Sequence, residues 1–516
     1  MSMTVSYPGV YIRELEPGIR TIAGVPTSVT AFIGRTRRGP VQEPTLVHSF
    51  GEFVRGFGGL WGEGPLAHSV SQFYANGGSE ALIVRVHHPT VTDAGDTARV
   101  NLAAAGGTTL TLTAASPGEW GNLITVRVED ESPPNPADPR FHLTIEEWSA
   151  GAGSRVVASE RHVRLSATPG SPRFVTDVLA SGSQLARVDS AAPFGVPTAT
   201  AAPPAAATPL AGGDDGLDLV NADLSAPGLE AGRTGLWALE KTDAFNLLCI
   251  PPVARELSPD ATTWNAAARL CEQRRAILIV DPDPTWSNAA AAKGGVSTHV
   301  SASANAAIYF PRIVTPDPLQ ENRLAPFAPS GAVAGVIART DSQRGQWKSP
   351  AGLDASLSNV PRLDVLLTDG DVGVLNPAGI NCLQSRPPAG RVVWGARTRV
   401  GDDDLASQWK YLSVRRTALH IEESLFRGTQ WVVFEPNDEP LWSQIRLSVG
   451  AFMNTLFRQG AFQGTTPAQA YFVKCDRENN PQSSIDQGKV EILVGFAPLK
   501  PAEFVIVSIQ QIRPAE

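Results

Sequence analysis

Lysine, cysteine, methionine and tyrosine are scarce in this chain, with seven, four, three and six copies in 516 residues. The cysteines, Cys249, Cys271, Cys382 and Cys475, are far apart and form no C-x-x-C pair, so neither a disulfide framework nor a cysteine metal site is implied. They read as free buried thiols of a protein made in the reducing cytoplasm. No basic-then-apolar leader opens the sequence, and no run approaches the roughly 18 apolar residues of a membrane span, so direct membrane insertion is not expected. A net charge of −8 and a pI near 5.6 leave no basic footprint for nucleic acid. Neither G-x-x-x-x-G-K-[ST] nor a G-x-G-x-x-G after a strand is present, which removes nucleotide hydrolysis as an energy source.

Motifs that suggest chemistry are equally thin. Asp281-Pro282-Asp283-Pro284 follows a strand end, where α/β folds often place catalytic carboxylates, but its two prolines suit a turn as well. Asp369-Gly370-Asp371 and Gly401-Asp402-Asp403-Asp404 lack the spacing and distal glutamate of a calcium loop and read as solvated acids. His87-His88 has no partner at metal-ligand spacing, and Ser407-Gln408-Trp409-Lys410 matches S-x-x-K without its companion elements. No catalytic residue, cofactor or metal is assigned.

The clearest pattern lies between Trp409 and Glu516. Tyr411, Val414, Ala418, Ile421, Leu425 and Phe426 recur at steps of three and four, with Arg415, Arg416, Glu422 and Glu423 opposite, predicting a helix ended by Gly428. A β-prone run, 430–435, follows. Asn437-Asp438-Glu439-Pro440 then combines capping side chains, first-turn acids and an early proline, and starts a second helix over 439–459. Its apolar stripe is Trp442, Ile445, Val449, Phe452, Met453 and Leu456, while Gln444, Arg446, Ser448, Asn454, Thr455 and Arg458 face away. Strands are expected at 470–474, 489–496 and 503–512, the last two forming a hairpin through the proline-flanked link 497–501.

Phe504-Val505-Ile506-Val507-Ser508-Ile509 is β-branched and apolar, and at an open sheet edge it would template aggregation. Near the other end, Val10-Tyr11-Ile12-Arg13-Glu14-Leu15 is another isolated strand, cut off by Glu16-Pro17-Gly18. Two such strands either pair within one subunit or join sheets in neighbours by strand addition. Head-to-tail exchange does not close on itself and builds a helical lattice.

In chain order, residues 1–22 form a strand arm with a Pro/Gly tether. Segments 23–97 and 235–400 alternate strand and helix and make one discontinuous α/β core domain, the pattern of a parallel sheet covered on both faces. Its expected strands are 28–33, 81–86, 245–250, 276–280, 306–310, 360–367 and 391–394, with helices near 50–57, 66–76 and 262–274. Residues 98–234 alternate as β-strands do, at 108–113, 124–128 and 141–145, and close with the Pro/Ala/Thr/Gly tract 196–213, a β-rich insertion domain. An α+β C-terminal domain occupies 401–516.

Several pieces together resemble the contractile sheath proteins of phage tails and related injection systems. They are Tyr7-Pro8-Gly9-Val10-Tyr11-Ile12, Gly24-Val25-Pro26-Thr27-Ser28-Val29-Thr30-Ala31-Phe32-Ile33-Gly34 and Arg38-Gly39-Pro40. Further along come Pro316-Asp317-Pro318, Pro329-Ser330-Gly331, Val333-Ala334-Gly335, Ala338-Arg339-Thr340-Asp341 and Arg344-Gly345. The closing set is Phe434-Glu435-Pro436-Asn437-Asp438, Gly460-Ala461-Phe462-Gln463-Gly464 and Lys500-Pro501-Ala502-Glu503-Phe504. They run in order along most of the chain, apart from about 98–234.

The resemblance implies a structural subunit that polymerises with itself around an inner tube protein, meets baseplate and terminator proteins, and contracts without turnover. It implies a virion tail or tail-like particle, cytosolic or released, and puts the insertion at the outer radius. The inter-subunit strands are expected at Val10, Tyr11, Ile12 and Leu15 and at Phe504, Val505, Ile506, Val507 and Ile509, completing the 470–474/489–496 sheet of a third copy. The connectors 16–22 and 497–501 are expected to act as hinges, and Gln444, Arg446 and Arg458 to face the tube. Two rivals are a static tail-tube or capsid-like protein, which polymerises into one lattice only, and an α/β hydrolase, which stays monomeric and turns over substrate.

Overall fold

Thr30–Gly34, Ala81–Arg85, Leu247–Cys249, Ile277–Val280 and Ala306–Phe310 are buried at every residue, as strands covered on both faces must be. In the computed structural model, which describes residues 20–131, 139–151, 153–191, 193–200 and 207–504, they lie in one eight-stranded sheet. From one edge the order is Gly390–Val393, Ile380–Arg386, Ala306–Phe310, Ile277–Val280, Leu247–Cys249, Thr30–Gly34, Ala81–Arg85 and Thr45–Val47. The six inner strands are parallel, and each edge strand is antiparallel to its neighbour. The expected strand at 360–367 shrinks to Arg362–Leu363, which joins the separate hairpin Ile313–Asp317/Arg323–Phe327.

Alternate residues serve opposite faces of the sheet. On one, Ile33, Leu248, Leu278 and Ile308 share a core with Trp264 and Leu270 of the helix Ala261–Gln273. On the other, Phe32 meets Phe73 of the helix Leu66–Ala75 edge-on, with ring centroids 5.5 Å apart. The helix Ser330–Arg344 lies against Leu66–Ala75 at Gly331 and Gly335, where a Cβ would run into the carbonyl oxygens of Ser69 and Phe73. A four-residue step puts both glycines on one side of the helix, so the backbones touch along a line.

The same helix explains Asp281. Its carboxylate is buried and accepts from the Ser330 N–H (2.8 Å) and the Ser330 hydroxyl (2.7 Å), satisfying the start of the helix. Burial pushes the carboxyl up to about 7, against the pull of the Ser330 hydrogen bonds and of Arg312. The folded protein therefore keeps this proton to higher pH than the unfolded chain does. Stability from this group is full below about pH 4 and is lost as pH rises to about 7, a change on the order of a few kcal/mol. Asp281→Asn, which still accepts at its amide oxygen, is expected to flatten that slope in urea midpoints measured across the same window. Parallel profiles for the two proteins would contradict the assignment.

Between residues 98 and 234, the strands Arg99–Ala103, Thr109–Ala114 and Ile124–Asp130 alternate buried residues with more exposed ones. Arg99–Ala103, Thr109–Ala114 and Ala186–Val188 form one sheet, and Thr208–Pro209, Ile124–Asp130, Arg140–Trp148 and Val156–Ser166 form another. Leu110, Leu112, Trp120, Val126, Phe141, Leu143 and Ile145 fill a core between them. Arginines from the ends of the central strands hold this body. Arg38 reaches Glu147 at 2.6 Å, Arg85 donates to the carbonyls of Gly39 and Pro117 (both 2.9 Å), and Arg35 reaches Asp218 at 2.8 Å. Arg38-Gly39-Pro40 is thus part of a clasp between the core sheet and the β-rich segment.

Residues Thr27–Arg415 form one unit, and the described residues 20–26 and 416–504 form another, the division falling within the helix Leu412–Gly428. The tether expected to be a free connector is fastened at its end. Ile22 is buried, the Val25 N–H donates to Ser424 Oγ (3.2 Å), and the Arg20 guanidinium lies 4.6 Å over the Trp431 ring. Within that helix Arg416 is buried and Phe426 exposed, the reverse of the expectation. The run 430–435 is no strand but a 3-10 turn, Gln430–Val432, and an exposed loop.

Candidate functional site

The helix Glu439–Arg458 starts where its capping residues lie: the Asp438 carboxylate accepts from the Leu441 N–H (3.2 Å), and Pro440 stands in the first turn. Leu441, Trp442, Ile445, Val449, Phe452, Met453 and Leu456 are buried, and Gln444, Leu447, Ala451, Thr455 and Arg458 form the exposed face. Two of the three residues expected to face a tube, Gln444 and Arg458, are on it. Arg446 is half-buried at the edge of this face. It donates to the Cys475 carbonyl and pairs with Glu439 at 2.6 Å, tying the first turn of the helix to the end of a strand. Ser448, also expected outside, is buried, and Leu447 is exposed beside it.

That strand, Tyr471–Lys474, pairs antiparallel with Leu493–Phe496, Tyr471 opposite Phe496 and Lys474 opposite Leu493. The second strand starts later than expected because the buried Asn480 draws its approach into a loop. The Asn480 amide oxygen accepts from the Glu491 N–H (2.6 Å), and its nitrogen donates to the carbonyls of Glu491 (3.0 Å) and Asp476 (3.2 Å). One sheet face turns to the unit's core, where the Phe462 ring lies 6.3 Å from Tyr471 and 5.6 Å from Phe496. On the other face Phe472 and Leu493 are exposed, and the Phe472 ring covers Gly495, where a Cβ would strike it.

Among the described residues no third strand joins this sheet. Two strands alone are marginal in water, and a strand edge left without a partner is a site for strand addition. The strand residues Val10, Tyr11, Ile12, Leu15, Val505, Ile506, Val507 and Ile509 lie outside the described residues. So does the second arm of the expected 489–496/503–512 hairpin from Val505 on; Phe504, just before it, is 75% exposed and in no strand. Every exposed phenylalanine among the described residues (Phe426, Phe434, Phe472 and Phe504) belongs to this unit.

The polar motifs hold local structure. His87 Nδ1 lies 2.7 Å from Asp93, and His88 Nδ1 lies 3.1 Å from Asp223. Asp283 accepts from the Thr285 N–H (2.8 Å), Asp371 closes a capping box with Thr368, and Asp369 pairs with Arg386 at 2.5 Å. Lys410 reaches Asp403 at 2.6 Å, while the Ser407 hydroxyl accepts from the Trp409 N–H. Sequence reading missed Asn480 and the exposed Phe472, whose only signal is a lone aromatic out of step with the strand's buried face. Among the described residues no helix is long and apolar enough to cross a membrane.

Two family models match in order along the chain: a phage tail sheath protein central domain over residues 221–399 and a phage tail sheath C-terminal domain over 404–512. A putative prophage major tail sheath protein of Pseudomonas aeruginosa is 29% identical over 283 residues, 52% of this chain and 67% of that protein. The tail sheath protein of Vibrio phage KVP40 is 28% identical over 188 residues, 36% of this chain and only 26% of the phage protein. The helical sheath of the anti-feeding prophage in its contracted state has the same fold, with a TM-score of 0.58 at 21% identity, covering 98% of this chain and all of that one. With both sheath domains matched in order over more than half of its residues, the chain belongs to the phage tail sheath protein family.

Proposed function

We propose that this protein is the repeating subunit of a contractile sheath, which polymerises around an inner tube and drives it forward by passing from an extended to a contracted helical lattice. The observation that carries this reading is the two-stranded sheet Tyr471–Lys474/Leu493–Phe496, which no third strand joins among the described residues and whose outer face exposes Phe472 and Leu493. In the polymer, the strand around Val10, Tyr11, Ile12 and Leu15 of one copy and the strand from Phe504 to Ile512 of another complete the sheet of a third. Each added strand contributes a handful of backbone hydrogen bonds at about 0.5–1.5 kcal/mol net, and each buried Val, Ile or Phe about 1.5–3 kcal/mol. Those junctions keep copies linked while their bodies rotate about the linking segments.

The division into arm, α/β core, outer β-rich insertion and C-terminal domain belongs to the same proposal. The partners are other copies of the chain, an inner tube protein, and baseplate and terminator proteins; related sheath chains are solved within a baseplate and in a contracted sheath complex. The place of action is a virion tail or tail-like particle, and the work is mechanical rather than catalytic. Electron microscopy of the assembled protein tests the reading: two tube lengths support a contractile sheath, and a single lattice supports a static tube or capsid-like protein.

Gln444, Leu447 and Arg458 form the tube-facing surface. Arg458→Glu is expected to weaken tube decoration several-fold, more at low salt than at high, while self-assembly persists. Arg446→Glu breaks the bonds to Cys475 and Glu439 and lowers subunit stability instead. Equal tube decoration by wild type and Arg458→Glu would remove this assignment.

A further inference from the structure

The loop between the helices Leu412–Gly428 and Glu439–Arg458 holds a phenylalanine fully in water: Phe434 is 102% exposed. Its backbone is left-handed, φ +70°, a region that bulky side chains avoid and glycine favours. The loop is nonetheless fixed. The Val433 and Glu435 N–H groups donate to the carbonyls of Gln430 (3.3 Å) and Val432 (3.2 Å). Asn437 donates to the Lys489 carbonyl and accepts from the Trp442 indole, both at 2.9 Å. Arg20 braces the other side, stacked on Trp431 and 4.0 Å from Glu435. A braced loop therefore keeps an aromatic ring in an unfavourable backbone conformation where it buries nothing in its own subunit. Strain of that kind persists where it serves a contact.

We infer that Phe434 is an interface knob that seats in an apolar recess of a second copy of this chain. The place of the loop selects that partner. Arg20, its brace, follows directly on the segment 1–19, so the knob stands at the root of the arm that the sheath reading sends to a neighbour. Val433, exposed beside Phe434, widens the apolar tip, and aromatic anchors of this kind dominate interface energies. The inference rests on the sheath reading.

The test uses the full-length chain. Phe434→Gly is expected to leave the melting temperature unchanged or raised, because glycine suits this backbone, and to raise the critical concentration for polymerisation at least about tenfold. A melting temperature lowered by several degrees would show that the ring supports its own subunit, and polymerisation at the wild-type concentration would show that it is idle. Either result overturns the knob. A photocrosslinking phenylalanine analogue at position 434 is expected to yield covalent pairs of this chain. Polymers without such pairs overturn the knob and leave the sheath reading standing, as does crosslinking only to an added tube protein. Covalent pairs from a preparation that forms no tubes support the knob and overturn the sheath reading.

Discussion

Subunits lacking residues 1–15 are expected to stay folded and soluble and to form no polymer. Among the described residues, the cores around Trp264 and Trp120, the helix Glu439–Arg458 and the contact of Arg20 with Trp431 are all built from residues after this segment. In the proposed lattice, removing the arm takes away a whole strand addition: several backbone hydrogen bonds and the burial of Val10, Ile12 and Leu15 at about 1.5–3 kcal/mol each. A loss of that size at every junction of a lattice moves the polymerisation threshold by orders of magnitude. Sedimentation and electron microscopy measure it, and tubes of normal diameter from the truncated chain would count against strand exchange.

Replacing Gly335 by leucine is expected to abolish folding of the unit Thr27–Arg415. Overpacking usually costs about 1–3 kcal/mol because side chains shift to make room. Here the obstacle is backbone, the Phe73 carbonyl on the facing helix, which moves only if the two helices separate. Separation would open the contact made by Phe32 and Phe73 on that face of the sheet, so the cost exceeds about 4 kcal/mol, the range of the most damaging substitutions. Gly331→Leu should do the same against Ser69. Gly294→Ala, in the helix Ala289–His299 where nothing lies within 4 Å of the added Cβ, is the control and should stabilise by about 0.5–1 kcal/mol. Urea unfolding separates the cases: wild-type midpoints for Gly335→Leu would show that the helices are not in contact there.

Much of this organisation is legible in the sequence because its physics is local. Asp438 and Pro440 announce the helix they cap, and continuous apolar runs such as Ile277–Val280 announce strands buried on both faces. The strand Ile380–Arg386 escapes because Asn381 and Gln384 break its apolar run, although Asn381 is buried and bonded to the Ile308 and Arg397 carbonyls. The run Trp431-Val432-Val433-Phe434 has strand composition, yet the turn starting at Gln430 and the left-handed Phe434 carry it into a loop. The bond that holds Arg446 goes to Cys475, 29 residues later, and no periodicity within the helix reports it. Neighbour relations in the sheet are similarly hidden, since Thr30 pairs with Leu247 across the whole of residues 98–234. The glycine pair of Gly331 and Gly335 stands in plain view among the motifs that resemble the family, but its role waits on the helix it faces.

The most direct test is a helical reconstruction of the assembled polymer at a resolution that traces residues 1–19 and 505–516. It should place the segment around Val10 and Tyr11 and the segment around Val505 and Ile506 in ladders with Tyr471–Lys474 or Leu493–Phe496 of adjacent copies. Both segments paired inside the subunit they come from, with no strand passing between copies, would contradict the proposed mechanics.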